Sequence, residues 1–445
     1  MKKKMVNVAF YFDNGRIKDV DCRSIRNGNP GIGGAYYAML MLVTKLGVNN
    51  GKYKFKLLAN NTKYISTEGL DVVSIPDLLS LKGYLLDEKI EILVVNKLGR
   101  YTVGKDLFRM LCGVDVKVII WAHCYIPLDE LNFYSKQPKV RRIVCVSKEQ
   151  LHTFRDHPAF RKATYNYNIC DFRERKLIPY SNRKNWVVYI GSLVPLKGVH
   201  LLTDVWTKVL EKVPDAQLFI IGGGNLYDRN AKMGPYNIAE FFYEQKILRN
   251  ILKKDGTIID SVHFMGIMGK EKSELLKYAK VGVPNPSGKT ETFGYTAIEM
   301  QLEGVRVTTK KCSGYIETVS GNSSLLYSNI EDLSENIIKL LRCDKIPIDC
   351  TDSIRHKFDT STIISRWITI FDQVFNNISP EFIPADSIFL CNKLREYNRV
   401  LRQFFIFLPP IMLYEMLINY LVYFFTKLFD IRNTLLKIYY RKMRN

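Results

Sequence analysis

At 445 residues the chain has room for two domains, and 47% apolar with 24% charged residues exclude a disordered or low-complexity protein. Sixty-five lysines and arginines against 44 carboxylates leave a net charge of +21, which points to an anionic partner: nucleic acid, an acidic membrane surface or a phosphorylated substrate. Nine cysteines, an odd number with no CxxC pair, exclude a disulfide framework and read as reduced thiols of a cytosolic protein.

The opening Met1-Lys2-Lys3-Lys4 carries the charge of a signal peptide. The apolar run behind it spans only residues 5–12, is broken by Asn7 and leads into Asp13-Asn14-Gly15 without a small-residue cleavage site, so 6–12 reads as a first strand. The loop that follows holds Gly28-Asn29-Pro30-Gly31-Ile32-Gly33-Gly34 and runs into a helical stretch, 35–46. Glycines there let the backbone approach a ligand and leave N–H groups at a helix start; a plain turn is the alternative. Asp19-Val20-Asp21 has the spacing of a metal-binding pair but no other ligand cluster around it, and reads as chance. Strand-like runs recur at 55–59, 72–75, 90–96, 116–121 and 143–147 with helical stretches between most of them, which predicts a doubly wound, mostly parallel sheet. His123 directly follows 116–121 and is expected at the carboxyl edge of that sheet. Residues 166–180, with Arg173, Arg175, Lys176 and Pro179, lack periodicity and read as a linker.

The second half opens with a strand at 187–190, then Gly191-Ser192-Leu193 and Lys197-Gly198. A lysine in a strand-to-helix loop reaches a diphosphate as a mobile point charge. Gly222-Gly223-Gly224 is not a dinucleotide fingerprint. The polar, aromatic-rich insertion to about 255, with Tyr227, Tyr236 and Tyr243, reads as a rim of the cleft that contacts an acceptor. The strand 280–283, the loop Asn285-Pro286-Ser287-Gly288-Lys289-Thr290-Glu291-Thr292 and a helix over 295–302 place backbone N–H groups and a positive helix end before a strand's carboxyl edge, where anions bind. Gly288-Lys289-Thr290 mimics a P-loop, but Gly282 to Gly288 encloses five residues rather than four, and Pro284 and Pro286 lack the needed N–H. Thr292 is the expected N-cap. Glu291 then lies in the loop and Glu299 two turns into the helix, where a carboxylate accepts both hydroxyls of a ribose. A phosphate-facing helix start with such a carboxylate behind it suits a nucleotide sugar; a solvated helix glutamate is the alternative. Strand runs at 305–309 and 325–327 and a closing helix over 358–375 follow. Beyond 377 the chain turns apolar and basic. The stretch 404–425 is interrupted by Pro409, Pro410, Glu415 and Asn419, a poor transmembrane segment. Interfacial binding to an anionic leaflet and a helical tail packed on its own domain are both open readings.

Glu291-x7-Glu299, in its Thr-Phe-Gly and Ala-Ile-Glu setting, resembles the signature of retaining GT-B glycosyltransferases of family 4. The resemblance extends through Val188-Tyr189-Ile190-Gly191-Ser192-Leu193-Val194-Pro195-Leu196-Lys197-Gly198, Phe219-Ile220-Ile221-Gly222-Gly223-Gly224 and Val262-His263-Phe264-Met265-Gly266, over residues 5–375. It implies an α/β GT-B fold: two Rossmann-like doubly wound domains facing a cleft, with a C-terminal helical tail. Residues 1–170 would form the acceptor-side domain and 181–350 the nucleotide-sugar-binding domain. Residues 351–377 would cross back to the first domain, and 378–445 would form the basic apolar tail. It implies transfer of a hexosyl unit from a nucleotide diphosphate sugar to a lipid-linked or growing oligosaccharide in surface-polysaccharide assembly. A cytoplasmic protein is expected, with peripheral contact to the inner face of the membrane as one of the two open readings of the tail. No cofactor, metal or nucleic-acid partner is expected. His123 and Glu291 are the expected catalytic residues. Lys197, Ser192, Glu299 and the backbone of Thr292, Phe293, Gly294 and Tyr295 are expected to bind the donor, with Gly31, Gly33 and Gly34 in the cleft's glycine loop. Ser192 stands where the family has an arginine, which removes a bidentate phosphate donor. The rival readings are a sugar-nucleotide epimerase, a basic nucleic-acid-binding protein and a non-catalytic partner subunit.

Overall fold

Runs such as Ile92–Lys97, apolar along almost their whole length, need cover on both faces, and parallel strands with helical crossovers supply it. The computed structural model of the protein describes residues 5–98, 103–170, 177–225, 232–320, 325–343 and 348–442. Arg173, Arg175, Lys176 and Tyr227 fall outside them. The first sheet comprises β1 (Val6–Phe12), β2 (Asn49–Asn50), β3 (Tyr53–Ala59), β4 (Val72–Ser74), β5 (Ile92–Lys97), β6 (Lys117–Ala122), β7 (Val140–Cys145) and β8 (Ala163–Tyr165). Its order is β2-β3-β1-β5-β6-β7-β8, with β4 also beside β3, and every pair except β2–β3 is parallel. The second sheet holds β9 (Lys184–Ile190), β10 (Gln217–Ile221), β11 (Val262–Gly266), β12 (Ala279–Gly282), β13 (Arg306–Lys310) and β14 (Leu325–Tyr327). It is all parallel, in the doubly wound order β11-β10-β9-β12-β13-β14. In such sheets the chain reverses its direction of travel between two neighbouring strands, and ligands bind off their carboxyl ends. Those switch points lie between β1 and β5 and between β9 and β12.

Two devices join the halves. The helix Thr360–Phe375 packs on the first sheet: Trp367 meets Trp121 edge to face at 4.9 Å, and Asp372 accepts from Lys52 Nζ and Tyr53 Oη at 2.7 and 2.6 Å. On the facing side, the Glu317 carboxylate of the second half accepts from the Lys148 and Glu149 N–H groups at 3.1 and 2.8 Å. It thereby satisfies the open start of the helix Lys148–His152 in the first half. The insertion is not a rim throughout. Ile238, Tyr243, Ile247 and Ile251 are core residues, and Glu244 accepts from the N–H groups of Tyr236 and Ile238 at 3.0 and 2.7 Å. A buried carboxylate thus folds 234–251 inward, because its apolar residues recur at helical spacing.

The tail forms the helices Leu390–Phe404 and Ile411–Lys442. Its first part docks on the first half through Glu149, whose Oε2 accepts from Ser387 Oγ and Asn392 Nδ2 at 2.9 and 2.8 Å. No helix among the described residues is long and apolar enough to cross a membrane. Burial pushes the Glu149 carboxyl up to about 7, against the lowering effect of its hydrogen bond from Ser387 and with support from the Glu317 charge. Its folded pKa therefore stands above the unfolded value of 4.5. The group's favourable contribution is full below that value and is lost as pH rises through about 7. The expected result is that the wild-type unfolding midpoint falls relative to Glu149→Gln between pH 5 and 8. The buried His152, His157 and His200, held below their usual range first by burial, act in the opposite direction but are common to both proteins. Parallel midpoint curves for the two proteins would refute the assignment.

Candidate active site

A cavity of about 710 Å³ lies between the carboxyl ends of the two sheets, and both switch points open into it. From the second half come the loop after β9 with Ser192 and Lys197, the loop after β12 with Asn285 and Glu291, and the start of the helix Tyr295–Leu302 with Glu299. The glycine loop after β1 and His123, just beyond β6, come from the first half.

Glu291 is the hub. Its Oε2 receives Lys197 Nζ at 3.0 Å, with Asn285 Nδ2 and Tyr315 Oη each at 3.4 Å. Burial by itself would raise its pKa. The Lys197 charge and the donated hydrogen bonds outweigh burial and hold the carboxyl below its ordinary range, so the pair stays ionised. Lys272 Nζ lies 3.1 Å from the Glu299 carboxylate, a second pair at the cavity wall. His123 sits 4.5 Å from the Trp121 ring, and its buried Nε2 has no hydrogen-bond partner among the described residues. Burial drives its pKa down to about 3, so it is neutral at working pH and can face a hydroxyl as donor or acceptor. Ser192 is buried with its Oγ likewise without a partner.

Two expectations change here. Thr292 does not cap the helix. Gly294 occupies the cap in the left-handed region (φ 95°, ψ 51°), and a Cβ there would lie 2.7 Å from the Tyr315 ring. Thr292 instead donates its hydroxyl across the cleft to the His123 carbonyl at 2.8 Å. The expectation for Phe293 and Tyr295 concerns their backbone; of their side chains, Phe293 packs with Tyr167 and Phe358 in the core between the halves, and Tyr295 donates to the Ile169 carbonyl at 3.1 Å. Residues 293–296 line the cavity, and the first-turn N–H groups of a helix have no partner within it. In the glycine loop, the Gly31 and Ile32 N–H groups are taken by Asn29 Oδ1 at 3.0 and 2.9 Å, so Gly31 does not present its amide. Its role is clearance: at φ 89°, a Cβ on Gly31 would lie 2.7 Å from the Ile267 side chain across the cleft, and one on Gly34 would meet the Tyr295 ring at 3.1 Å.

Asp19 and Asp21 do not join a site. Asp21 pairs with Arg23 at 2.6 Å, and no cluster of three or more His, Cys, Asp or Glu occurs among the described residues. Sequence reasoning missed Lys272, Asn285 and Tyr125, whose Oη donates to the Glu291 carbonyl at 3.2 Å. Lys272 stands in the run Lys270-Glu271-Lys272, which marks no one lysine; its place past the carboxyl end of β11 was the available signal. Tyr125 follows His123 by two residues and needed only the same edge argument.

Residues 172–357 match the family model "Glycosyl transferases group 1". Trehalose synthase of Thermococcus litoralis is 22% identical over 192 residues, 43% of this chain and 44% of that protein, so the match spans less than half the length of the relative. HepE of Anabaena, solved in complex with UDP and glucose, superposes with a TM-score of 0.60 at 15% identity, over 83% of this chain and all of its own. Sucrose-phosphate synthase of Thermosynechococcus elongatus gives 0.60 at 14%, over 84% of this chain and all of its own. The fold is GT-B, and the second half of the chain carries the match to the glycosyl transferases group 1 family.

Proposed function

We propose that the chain is a retaining glycosyltransferase of family 4 type, which moves a hexosyl unit from a nucleotide diphosphate sugar to a lipid-linked or growing oligosaccharide in surface-polysaccharide assembly. The observation that supports this best is the convergence of Lys197, Glu291, Glu299 and a helix start on one wall of a cleft whose other wall carries His123. HepE, solved with UDP and glucose, shares the fold and supports a nucleotide-sugar donor. On this reading Glu299 accepts the ribose hydroxyls, and the Gly294–Thr296 backbone with Lys197 faces the diphosphate. The bond from the sugar's anomeric carbon to the diphosphate oxygen breaks, and the bond to the acceptor oxygen forms on the same face. The acceptor's proton passes to the departing diphosphate. The positive charge of Lys197 meets the charge that develops on the leaving group. Glu291 holds Lys197 in place, and its carboxylate and the neutral His123 orient the sugar. The cytoplasmic chain would work at the inner face of the membrane, with its tail as the peripheral contact.

A thermal-shift series with UDP-, GDP- and ADP-sugars tests the donor, since a ligand bound only by the folded state raises its midpoint. One of them should raise the midpoint, and Glu299→Gln should weaken that ligand about tenfold or more by removing a charged acceptor. No shift with any nucleotide sugar would defeat the reading. A sugar nucleotide altered without acceptor would replace it with an epimerase.

A further inference from the structure

The helix Leu390–Phe404 is packed inside out. Its buried positions are Asn392 and Arg395, and with Glu396, Asn398 and Arg402 they hold the helix to the first half or to the following helix by polar contacts. Leu390, Leu394, Tyr397, Leu401 and Phe404, spaced at three and four residues, form one exposed stripe; Tyr397 is 68% and Phe404 76% exposed. The stripe runs into an apolar tip, Phe404-Phe405-Ile406-Phe407, where Ile406 is 85% exposed. Contiguous apolar surface of this kind on a folded chain marks a contact surface.

Beside the tip lies a second cavity, of about 420 Å³, into which Arg155, Arg161, Arg399 and Arg402 face against the carboxylates of Asp156 and Glu381. Asp156 already accepts from Asn398 Nδ2 and the Ile411 N–H, at 2.7 and 2.6 Å. Arg155 and Arg399 share Glu396 and both lie over the Phe382 ring, at 5.1 and 5.0 Å. One cation is left over: exposed Arg161 has no hydrogen-bond partner among the described residues. From residue 378 on, ten lysines and arginines stand against five carboxylates.

We infer that this cavity binds the phosphate of an anionic lipid headgroup while the Phe404–Phe407 tip and the Leu390–Phe404 stripe enter the leaflet beside it. Charge complementarity selects this occupant: the cavity's four arginines outnumber Asp156, Glu381 and the Glu396 that pairs two of them, and an anionic leaflet matches that surplus where a second copy of a +21 chain would repeat it. Apolar insertion and cationic attraction are each weak and reversible, and stable anchoring needs both together. The inference rests on the tail as the membrane contact proposed above and names the surface and the lipid chemistry.

Co-sedimentation of the full chain with phosphatidylcholine vesicles, with and without phosphatidylglycerol, tests it. The chain should bind the anionic vesicles at least about tenfold more strongly, and less so as salt rises. Phe404→Ser with Ile406→Ser should lower binding about tenfold or more. Arg161→Glu should remove most of the anionic preference, while Lys208→Glu on the far unit should not. Equal losses from Arg161→Glu and Lys208→Glu would overturn the headgroup site. So would lipid-free dimerisation that Phe404→Ser abolishes. Binding to no vesicle at all would defeat the tail reading itself; anionic binding untouched by the tip and Arg161 variants would defeat only the site named here. Nucleotide-sugar thermal shifts should survive in every variant, which separates both failures from a failure of the glycosyltransferase reading.

Discussion

On the glycosyltransferase reading proposed above, Lys197→Ala should lower kcat by about 100- to 1,000-fold, with a smaller effect on KM, because it would remove a preorganised cation from the place where that reading puts the developing leaving-group charge. The sequence fixes that cation tightly. Gly198 turns the chain at φ 72°, ψ 25° into the helix Val199–Lys212, and a Cβ there would lie 2.7 Å from Ser287, so the lysine is held against the Asn285–Glu291 loop. Its Nζ then meets Glu291 at 3.0 Å, with both side chains mostly shielded from solvent. Removal therefore has a second effect. Glu291 loses the charge that holds its pKa down while burial, which raises it, remains. Residual activity should consequently fall at mildly acidic pH, as Glu291 takes up a proton that it refuses in the wild type. Lys197→Arg should restore only part of the rate, since a planar guanidinium does not reproduce a compact ammonium. A kcat within threefold of wild type in Lys197→Ala, with the fold intact, would remove this residue from the mechanism.

The strands were legible because parallel strands buried on both faces are written as short apolar runs. Runs such as 6–12 and 325–327 stand in the structure where they were read, and others shift by a few residues at their ends. His123, Lys197 and Glu291 were legible for a related reason: each closely follows a strand, and the carboxyl edge of a parallel sheet is where a chain of this class gathers its chemistry. What sequence did not disclose depends on contacts made from far away along the chain. Thr292 reads as a cap until the His123 carbonyl, 169 residues earlier, takes its hydroxyl. Phe293 reads as a backbone contributor to the donor loop, and nothing local shows that its ring packs on Phe358 and Tyr167. The inverted helix Leu390–Phe404 has the periodicity of an amphipathic helix either way round. Only the docking of Asn392 and Arg395 on their partners decides which face is outward.

Trp367→Ala should cost about 3–5 kcal/mol, a large share of the roughly 5–15 kcal/mol that separates a folded domain from its unfolded state. Trp367 is fully buried, and its Nε1 has no hydrogen-bond partner, so the loss is one of packing and cavity formation rather than of polar contacts. It lies on the helix that follows the second sheet in sequence yet packs on the first, 4.9 Å from Trp121 and 5.6 Å from Phe371. Trp121 in turn lies 4.5 Å from the His123 ring. A cavity under Trp121 therefore weakens the join between the halves and also frees the histidine at the cleft. Unfolding of the variant should begin at a lower temperature than in wild type, and activity should drop at temperatures where the protein is still folded. Trp367→Phe, which leaves a smaller void, should lose less on both counts. The exposed aromatic Phe242 supplies the comparison: Phe242→Ala should shift stability by no more than about 0.5 kcal/mol. If Trp367→Ala and Phe242→Ala unfold together, the closing helix does not hold the halves. If Trp367→Ala loses stability but keeps full activity, the Trp367–Trp121–His123 stack supports the fold without supporting the site.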